Sequence, residues 1–283
     1  MSQGKHVVVT GASSGIGMGI ARAFDRPGYR VSLVARREEL LRELQGELKT
    51  ESEVVVADLN DPEDPTRWLR EAEAALGPTD ILVNNAGMSY VEPTPGISAE
   101  RIARIFQLNL MTPIAAMHHV MEHMLERGEG TIVNVASNIA FQPAPYFNHY
   151  AATKGGLANF SEALRMELKG TGVHVVTVYP GPVQTPMGDH NWGLVGSPVL
   201  RMLSPYGNTR ALARLVLRAV EKRRARLIYP RFYALGWFLP SIGRFVAEFA
   251  LPEITGPDES EQSGAAPDAP AGAPQPGPPD ESG

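Results

Sequence analysis

Tyr150 and Lys154 are the two side chains whose types and spacing could together move a proton. They stand four residues apart in a segment, residues 150–170, whose pattern predicts a helix, so both would project from one face. A phenol has an ordinary pKa of about 10, and a nearby ammonium stabilises its ionised form. We therefore expect Lys154 to lower the pKa of Tyr150, which would make the phenol a usable acid or base.

A glycine-rich turn follows the first predicted strand and runs Thr10-Gly11-Ala12-Ser13-Ser14-Gly15-Ile16-Gly17. An amphipathic helix comes directly after it. Bare backbone at the start of a helix lets a pyrophosphate approach the N–H groups and the positive end of the helix dipole. This context of strand, turn and helix favours a dinucleotide site over a tight turn that binds nothing.

Two arginines, Arg36 and Arg37, end the second predicted strand. A dinucleotide site that prefers NAD places an acid at this point to hold the ribose 2′-hydroxyl, and no acid is present. A guanidinium can instead make paired hydrogen bonds to a 2′-phosphate, so we expect NADP(H) to be preferred, with NAD(H) as an alternative. The other interpretation is that both arginines simply begin a solvated helix. We expect one arginine to bind and the other to be exposed.

Polar and small residues follow the later strands. Asp58 comes after the third strand, where it could accept a hydrogen bond from the adenine amino group, and Asn84-Asn85-Ala86-Gly87 closes the fourth, where small residues leave room for a ribose. Ser137 ends the fifth, at the carboxyl edge where open α/β sheets bind ligands. Asn109 lies within a predicted helix over residues 101–126, where asparagine is a poor choice, so a functional role could explain it.

Predicted strands and helices alternate from residue 6 to about residue 230, and the candidate residues lie on them or between them. Seven short runs predict strands, over residues 6–10, 30–35, 53–57, 80–84, 130–137, 173–179 and 226–229. Val and Ile occupy nearly every position, as in strands that are buried on both faces. Asp61-Pro62 predicts an N-cap followed by proline at the first position of a helix. The fold class is therefore α/β, a single doubly wound domain with a parallel seven-stranded sheet flanked by helices.

The composition excludes several classes of protein. The chain has 283 residues, 43% of them hydrophobic, and no cysteine, so a disulfide scaffold, a Cys-ligated zinc site and a thiol nucleophile are all impossible. No metal site is expected. A net charge of −5 argues against a nucleic-acid partner. Residues 256–283 contain six acids and no Lys or Arg, which predicts a disordered acidic tail after a folded domain of residues 1–255.

In their order and spacing these elements resemble the short-chain dehydrogenase/reductase family, over nearly all of residues 5–230. The matching elements are Thr10-Gly-x-x-x-Gly15-x-Gly17, Asp58, Asn84-Asn-Ala-Gly87, Asn109, Ser137, Tyr150-x-x-x-Lys154, and Pro180-Gly181 with Thr185. The resemblance implies a Rossmann domain with the strand order 3-2-1-4-5-6-7 and a nicotinamide cofactor.

The resemblance also implies a role for each matched residue. Tyr150 would exchange the proton with the substrate oxygen, and Ser137 would polarise the carbonyl. Lys154 would hold the nicotinamide ribose as well as act on Tyr150, and Asn109 would position a water that relays protons. The implied cofactor-binding residues are Gly11, Ser13, Ser14, Gly15, Ile16, Gly17, Arg36, Arg37, Asp58, Leu59, Asn85, Ala86, Gly87, Tyr150, Lys154, Pro180, Gly181, Val183 and Thr185. Members that prefer NADP often carry a basic residue before the second glycine, where this chain has Ser14, so the case for NADP(H) rests on the two arginines.

The later part of the chain bears on the substrate and on partners. Residues 201–231 hold nine cations and one acid, and the segment 231–251 that follows is rich in aromatic and aliphatic residues. This segment and the irregular substrate loop, residues 184–206, could roof an apolar pocket, form a homo-oligomer contact in a dimer or tetramer, or lie on an anionic membrane surface. We expect an NADP(H)-dependent oxidoreductase acting on a hydrophobic ketone or secondary alcohol, such as a steroid, a retinoid or an acyl chain.

Two other functions stay open at this point. A non-catalytic dinucleotide-sensing or scaffold protein of the same fold would usually lack Tyr150, Lys154 or Ser137, and all three are present. A carbon–carbon double-bond reductase of this family tends to space its tyrosine and lysine farther apart. The N-terminal residues contain no apolar run of signal-peptide length, so we expect a cytoplasmic protein with peripheral membrane contact as an option.

Overall fold

The computed structural model describes residues 4–188, 206–239 and 241. The Val- and Ile-rich runs form a seven-stranded sheet in the order β3-β2-β1-β4-β5-β6-β7. Its strands are β1 (Lys5–Thr10), β2 (Tyr29–Ala35), β3 (Ser52–Val56), β4 (Ile81–Asn84), β5 (Gly130–Val135), β6 (Val173–Pro180) and β7 (Arg226–Tyr229). Every neighbouring pair is parallel. The predicted fold class and strand order are confirmed.

Helices cover both faces of the sheet. They are α1 (Gly15–Ala23), α2 (Glu38–Glu47), α3 (Arg67–Leu76), α4 (Ala99–Phe106), α5 (Thr112–Arg127), α6 (Asn148–Glu167), α7 (Thr209–Glu221) and α8 (Ala234–Phe238). One apolar core lies between the sheet and helices α1, α2 and α7, and a second lies between the sheet and helices α3, α5 and α6. Burial on both faces explains why the strands carry Val and Ile at successive positions.

The helix predicted to begin at Asp61-Pro62 is not formed. The helix α3 begins at Arg67 with Thr66 as its N-cap, and the Asp61 carboxylate instead accepts the Glu63 N–H at 3.0 Å. A helix that began at Pro62 would put Pro65 at its fourth position. There a proline has no N–H to donate, and its ring opposes the first turn.

The single helix predicted over residues 101–126 is also interrupted. A π-helical turn, Gln107–Met111, separates α4 from α5. In a regular α-helix the Asn109 carbonyl would accept the N–H of residue 113, but residue 113 is a proline and has none. The wider π-helical turn lies at Asn109, where the carbonyl cannot accept a hydrogen bond from residue 113.

Smaller differences concern element ends. The fifth strand ends at Val135, so Ser137 lies beyond it and caps a short 3₁₀ turn, Asn138–Ala140. Helix α6 begins before Tyr150, at Asn148, and ends at Glu167. The predicted acidic tail (256–283), most of the predicted substrate loop (189–205) and most of the predicted apolar segment (240 and 242–251) lie outside the described residues.

Candidate active site

A cleft of about 490 Å³ runs along the carboxyl ends of the strands, where parallel sheets bind ligands. It extends from the glycine turn after β1, past the ends of β2, β3 and β4, to α6 and the residues that follow β6. All the predicted catalytic and cofactor-binding residues line this cleft except Gly17 and Asn109. Residues from widely separated parts of the chain are thus brought into one site.

Glycine is required at the three positions of the turn for different structural reasons. Gly11 and Gly15 have φ angles of +66° and +56°, which favour glycine. At Gly17 a Cβ would overlap the Gly11 carbonyl oxygen and lie 2.5 Å from the Asn85 Nδ2. Gly17 therefore allows α1 to pack against the turn, while the first N–H groups of α1, which have no intrahelical acceptor, are available to an anion.

Thr10 joins the glycine turn to the end of β4, a role that the sequence did not suggest. Its hydroxyl donates to the Val83 carbonyl at 3.1 Å and accepts the N–H groups of Asn85 and Ala86 at 2.9 and 3.0 Å. The Asn85 side chain returns a hydrogen bond to the Thr10 carbonyl at 2.9 Å. These contacts hold two walls of the cleft at a constant separation. A threonine at the last position of a buried strand is the signal that could have indicated it.

Arg37 reaches from the end of β2 to the glycine turn. Its guanidinium donates to the Ser13 hydroxyl at 3.0 Å and to the Ser14 hydroxyl at 2.8 Å. Arg36 lines the same end of the cleft. Both arginines are exposed, and no acidic side chain stands at the end of β2. This end of the cleft therefore carries positive charge that is open to solvent.

Ser137, Tyr150 and Lys154 meet at the other end of the cleft. The hydroxyls of Ser137 and Tyr150 share a hydrogen bond. The Lys154 ammonium donates to the Val135 carbonyl at 2.8 Å and lies 5.9 Å from the centroid of the Tyr150 ring. The Tyr-x-x-x-Lys spacing on α6 brings both side chains to one site, as the sequence predicted.

The pKa values at this end of the cleft are controlled by burial. Desolvation raises the pKa of Tyr150 to about 12, against the opposing effect of the Ser137 hydrogen bond. The prediction that Lys154 lowers the Tyr150 pKa is therefore wrong for this arrangement, because the ammonium is bonded to the Val135 carbonyl and not to the phenol. Desolvation also lowers the pKa of Lys154 to about 8.

Asn109 lies behind the cleft rather than in it and is fully buried. Its side chain accepts the Met88 N–H at 2.9 Å, donates to the Met88 carbonyl at 2.8 Å and donates to the Thr153 hydroxyl at 3.1 Å. A Cβ on Gly87 would stand 3.1 Å from the Asn109 Oδ1 and 3.3 Å from the Lys154 Nζ. Asn109 thus positions the loop after β4 against α6. Its part in a water relay stays a prediction.

Three apolar side chains that the sequence did not single out line the cleft near Tyr150, together with Gln142. They are Leu108, Ile139 and Phe147. Their place between or beside the matched residues is the signal that could have found them. Met187, which belongs to the predicted substrate loop, also lines the cleft.

The first part of the predicted apolar segment supports this end of the cleft from outside. A Cβ on Gly181, in the cleft, would lie 2.6 Å from the Tyr233 ring, and Gly236 packs directly against Gln142. The Trp237 ring packs on those of Phe141 and Tyr179. Residues 231–239 therefore pack behind Gly181 and Gln142, which line the cleft.

Among the described residues, no three His, Cys, Asp or Glu side chains come together in a way that could hold a metal ion.

A family model described as short chain dehydrogenase matches residues 5–192. A ketoacyl reductase, HetN, from a Nostoc species is 32% identical over 229 residues, which are 80% of this chain and 78% of that protein.

Two solved structures share the fold and have a bound dinucleotide. A short-chain dehydrogenase from Sphingobium yanoikuyae in complex with NADPH is 30% identical, with a TM-score of 0.71 over 90% of this chain and 99% of that one. A 3-ketoacyl-(acyl-carrier-protein) reductase from Brucella melitensis complexed with NADH is 27% identical, with a TM-score of 0.71 over 80% of this chain and 97% of that one. From its family model, its relatives and the geometry of its cleft, the chain belongs to the short-chain dehydrogenase/reductase family of oxidoreductases, which act on carbonyl and alcohol groups.

Proposed function

We propose that this protein uses NADPH to reduce the carbonyl of an apolar substrate to a secondary alcohol. The observation that carries the choice of cofactor is the Arg37 guanidinium, which bonds to Ser13 and Ser14 on the glycine turn. The basic residue that family members often carry before the second glycine is absent from this chain. Arg37 brings a guanidinium to the same position from the end of β2, where no acid competes for a ribose hydroxyl.

The residues of the cleft fit a phosphorylated dinucleotide. The glycine turn and the first turn of α1 would hold the pyrophosphate, since side chains there would occupy the space that backbone N–H groups need. Arg37 and Arg36 would hold the 2′-phosphate, and Asp58 with Leu59 would border the adenine. Lys154 and the residues after β6 would hold the nicotinamide ribose and ring. When bound, the nicotinamide supplies the hydride.

Tyr150 can serve as the proton donor that carbonyl reduction requires. A phenol with a pKa of about 12 is fully protonated at neutral pH and ready to donate to a substrate oxygen that is gaining negative charge. The Ser137 hydroxyl would donate a second hydrogen bond to the same oxygen.

The walls around Tyr150 support an apolar substrate. Ile139, Phe147 and Met187 line the cleft, and Asn138 and Gln142 add neutral polar side chains to the same lining. Such a lining gains little from a small polar carbonyl compound and more from an extended hydrocarbon next to the reacting group. HetN is named a ketoacyl reductase, which supports testing acyl chains beside steroids and retinoids.

The test follows NADPH oxidation over a panel of apolar ketones, retinal, 3-oxoacyl thioesters and small polar carbonyl compounds. We expect turnover on an apolar member that is lost in Tyr150→Phe. Because a charge-assisted hydrogen bond contributes about 1.5–3 kcal/mol, Arg37→Ala should raise KM for NADPH by roughly 10-fold to 100-fold. The same change should leave KM for NADH within about twofold.

The matched control for the arginine is Arg42→Ala, because Arg42 is exposed on α2 and pairs with Glu38 outside the cleft. We expect this variant to keep the wild-type KM for both cofactors. Equal losses with NADPH and NADH in Arg37→Ala would contradict the assignment to the 2′-phosphate. A preference for small polar carbonyl compounds over every apolar member would contradict the substrate class.

A further inference from the structure

Gln142 brings a side-chain amide without a protein partner to the wall of the cleft. The residue follows the 3₁₀ turn Asn138–Ala140, and its side chain is partly buried. Within residues 4–188, 206–239 and 241, no residue forms a hydrogen bond with this amide. Asn138 differs, because its Oδ1 accepts the Ser137 hydroxyl at 3.3 Å. The Gln142 amide is therefore available to a molecule that enters the cleft.

The fold leaves a space for the Gln142 amide. Gly236 lies in the middle of α8, where glycine is a poor helix former. A Cβ at this position would overlap the Gln142 Nε2 and lie 2.9 Å from its Oε1. Glycine at position 236 thus gives the amide room that any other residue would fill.

The backbone that carries Gln142 is held on both sides. Its N–H donates to the Asn138 carbonyl at 3.0 Å. The Phe141 ring, directly before it, lies 5.7 Å from the Tyr179 ring and 5.4 Å from the Trp237 ring, measured between centroids. These contacts determine where the amide begins, so only the end of the side chain is free to adjust.

Gln142 also lies near the residues that would bind the reacting carbonyl. The turn that contains Ser137 continues to residue 142 and advances about 1.5–2 Å per residue, which puts Gln142 roughly 8–10 Å beyond Ser137 along the turn. Ile139 and Phe147 line the same cleft. A substrate carbonyl at Ser137 and Tyr150 would therefore have an amide within reach of its neighbouring atoms, and an amide both donates and accepts hydrogen bonds.

We propose that Gln142 is a specificity-determining residue whose amide forms a hydrogen bond with a second carbonyl or amide group of the substrate. The inference rests on the proposed function, because it takes the reacting carbonyl to bind at Ser137 and Tyr150. A substrate with the second group replaces the water on the amide. A substrate without it removes that water and leaves the amide unpaired, which lowers its affinity. The substrate class is thus a ketone with an apolar chain on one side and a carbonyl or amide on the other.

The first experiment compares two ketones by isothermal titration calorimetry on the full-length protein saturated with NADP⁺, which cannot donate a hydride. The ligands are 3-oxooctanamide and 3-octanone, which share a pentyl ketone and differ in whether an amide or a methyl group ends the short arm. We expect the wild type to bind 3-oxooctanamide roughly tenfold more tightly, and Gln142→Leu to bind both ligands with Kd values within about twofold of each other. 3-Octanone is the control for folding, because its Kd should not rise in the variant.

Gly236→Ala tests the same contact from the other side. The added Cβ would meet the end of a flexible side chain, so the Gln142 amide should move away while the backbone stays in place. We expect this variant to lose most of the preference for 3-oxooctanamide and to keep its Kd for 3-octanone within about twofold. The matched control is Gly46→Ala in α2, where a Cβ would meet nothing within 4 Å. That control should keep the wild-type preference.

Turnover with NADPH separates this inference from the proposed reaction. Gln142→Leu should lower kcat/KM for 3-oxooctanamide about tenfold and leave that for 3-octanone within about twofold. A wild type that has the binding preference but reduces neither ketone would contradict the proposed reaction and support the contact of Gln142 with the ligand. Equal Kd values for the two ligands in the wild type, a preference that persists in Gln142→Leu, or no binding of either ligand would overturn the role of Gln142.

Discussion

Replacing the buried lysine of the site should make the protein more stable while abolishing its activity. Lys154 is 3% exposed, and burial lowers its pKa from 10.5 to about 8. Each pKa unit corresponds to about 1.4 kcal/mol, so keeping the ammonium charged in the folded protein at pH 7 costs roughly 3 kcal/mol. Its hydrogen bond to the Val135 carbonyl offsets about 1 kcal/mol of that cost. Methionine has a similar volume and no charge.

We therefore expect Lys154→Met to raise the free energy of unfolding at pH 7 by about 2 kcal/mol, which for a domain of this size corresponds to a rise in Tm of about 4–8 °C. The advantage should shrink as the pH rises. Between the folded pKa of about 8 and the unfolded value of 10.5, the unfolded chain still binds the proton and the folded protein has released it. The free energy of unfolding of the wild type then increases with pH, by about 2 kcal/mol at pH 9.5.

The measurement is urea unfolding followed by circular dichroism at pH 7, 8 and 9.5, all below the ordinary tyrosine pKa of about 10. Lys169→Met is the matched control, because Lys169 is an exposed lysine just beyond the end of α6. We expect it to follow the wild type at every pH. A Lys154→Met protein that is less stable than wild type at pH 7, or whose difference from wild type is the same at pH 9.5, would refute the argument from desolvation.

Three further predictions concern residues that hold the site together. Gly17→Ala should lower the free energy of unfolding by about 3 kcal/mol or more, measured by urea unfolding, because the added Cβ overlaps the Gly11 carbonyl and overpacked sites cannot relax without moving backbone. Asn109→Leu should cost about 2–4 kcal/mol in the same assay and also lower kcat, since three hydrogen bonds of a buried side chain are lost and their partners stay buried. His6 is buried with a lowered pKa, so the unfolded chain takes up a proton at a higher pH than the folded protein does. The free energy of unfolding should fall as the pH falls through about 6.5, and less steeply in His6→Gln; equal slopes in a pH series of thermal unfolding would contradict this.

The order of the elements and the location of the cleft could both be predicted from the amino-acid sequence. Val- and Ile-rich runs indicated all seven strands, because a parallel strand is buried on both faces and therefore has apolar residues at successive positions. The glycine turn, Asn85 to Gly87 and Ser137 each follow a strand, so the sheet alone brings them to one edge. The local spacing of Tyr150 and Lys154 sufficed to put both on one side of α6.

Two prolines explain why two of the predicted helices differ from those in the structure. Pro65 and Pro113 were in view in the sequence, and each removes an N–H that the predicted helix needed. Both prolines are local signals, but a helix prediction based on apolar periodicity does not take them into account. The structure adds that the second proline places the π-helical turn at Asn109, next to Gly87 and Lys154.

The electrostatics of the site could not be predicted from the sequence, because they depend on tertiary contacts. Whether Lys154 lowers the pKa of Tyr150 depends on where the ammonium points and on how much protein surrounds the phenol. The contacts of Arg37 with Ser13 and Ser14, and of Gly236 with Gln142, likewise join residues far apart in the chain. Periodicity and spacing describe neighbours along one element, whereas desolvation and hydrogen bonding depend on every element packed around a group.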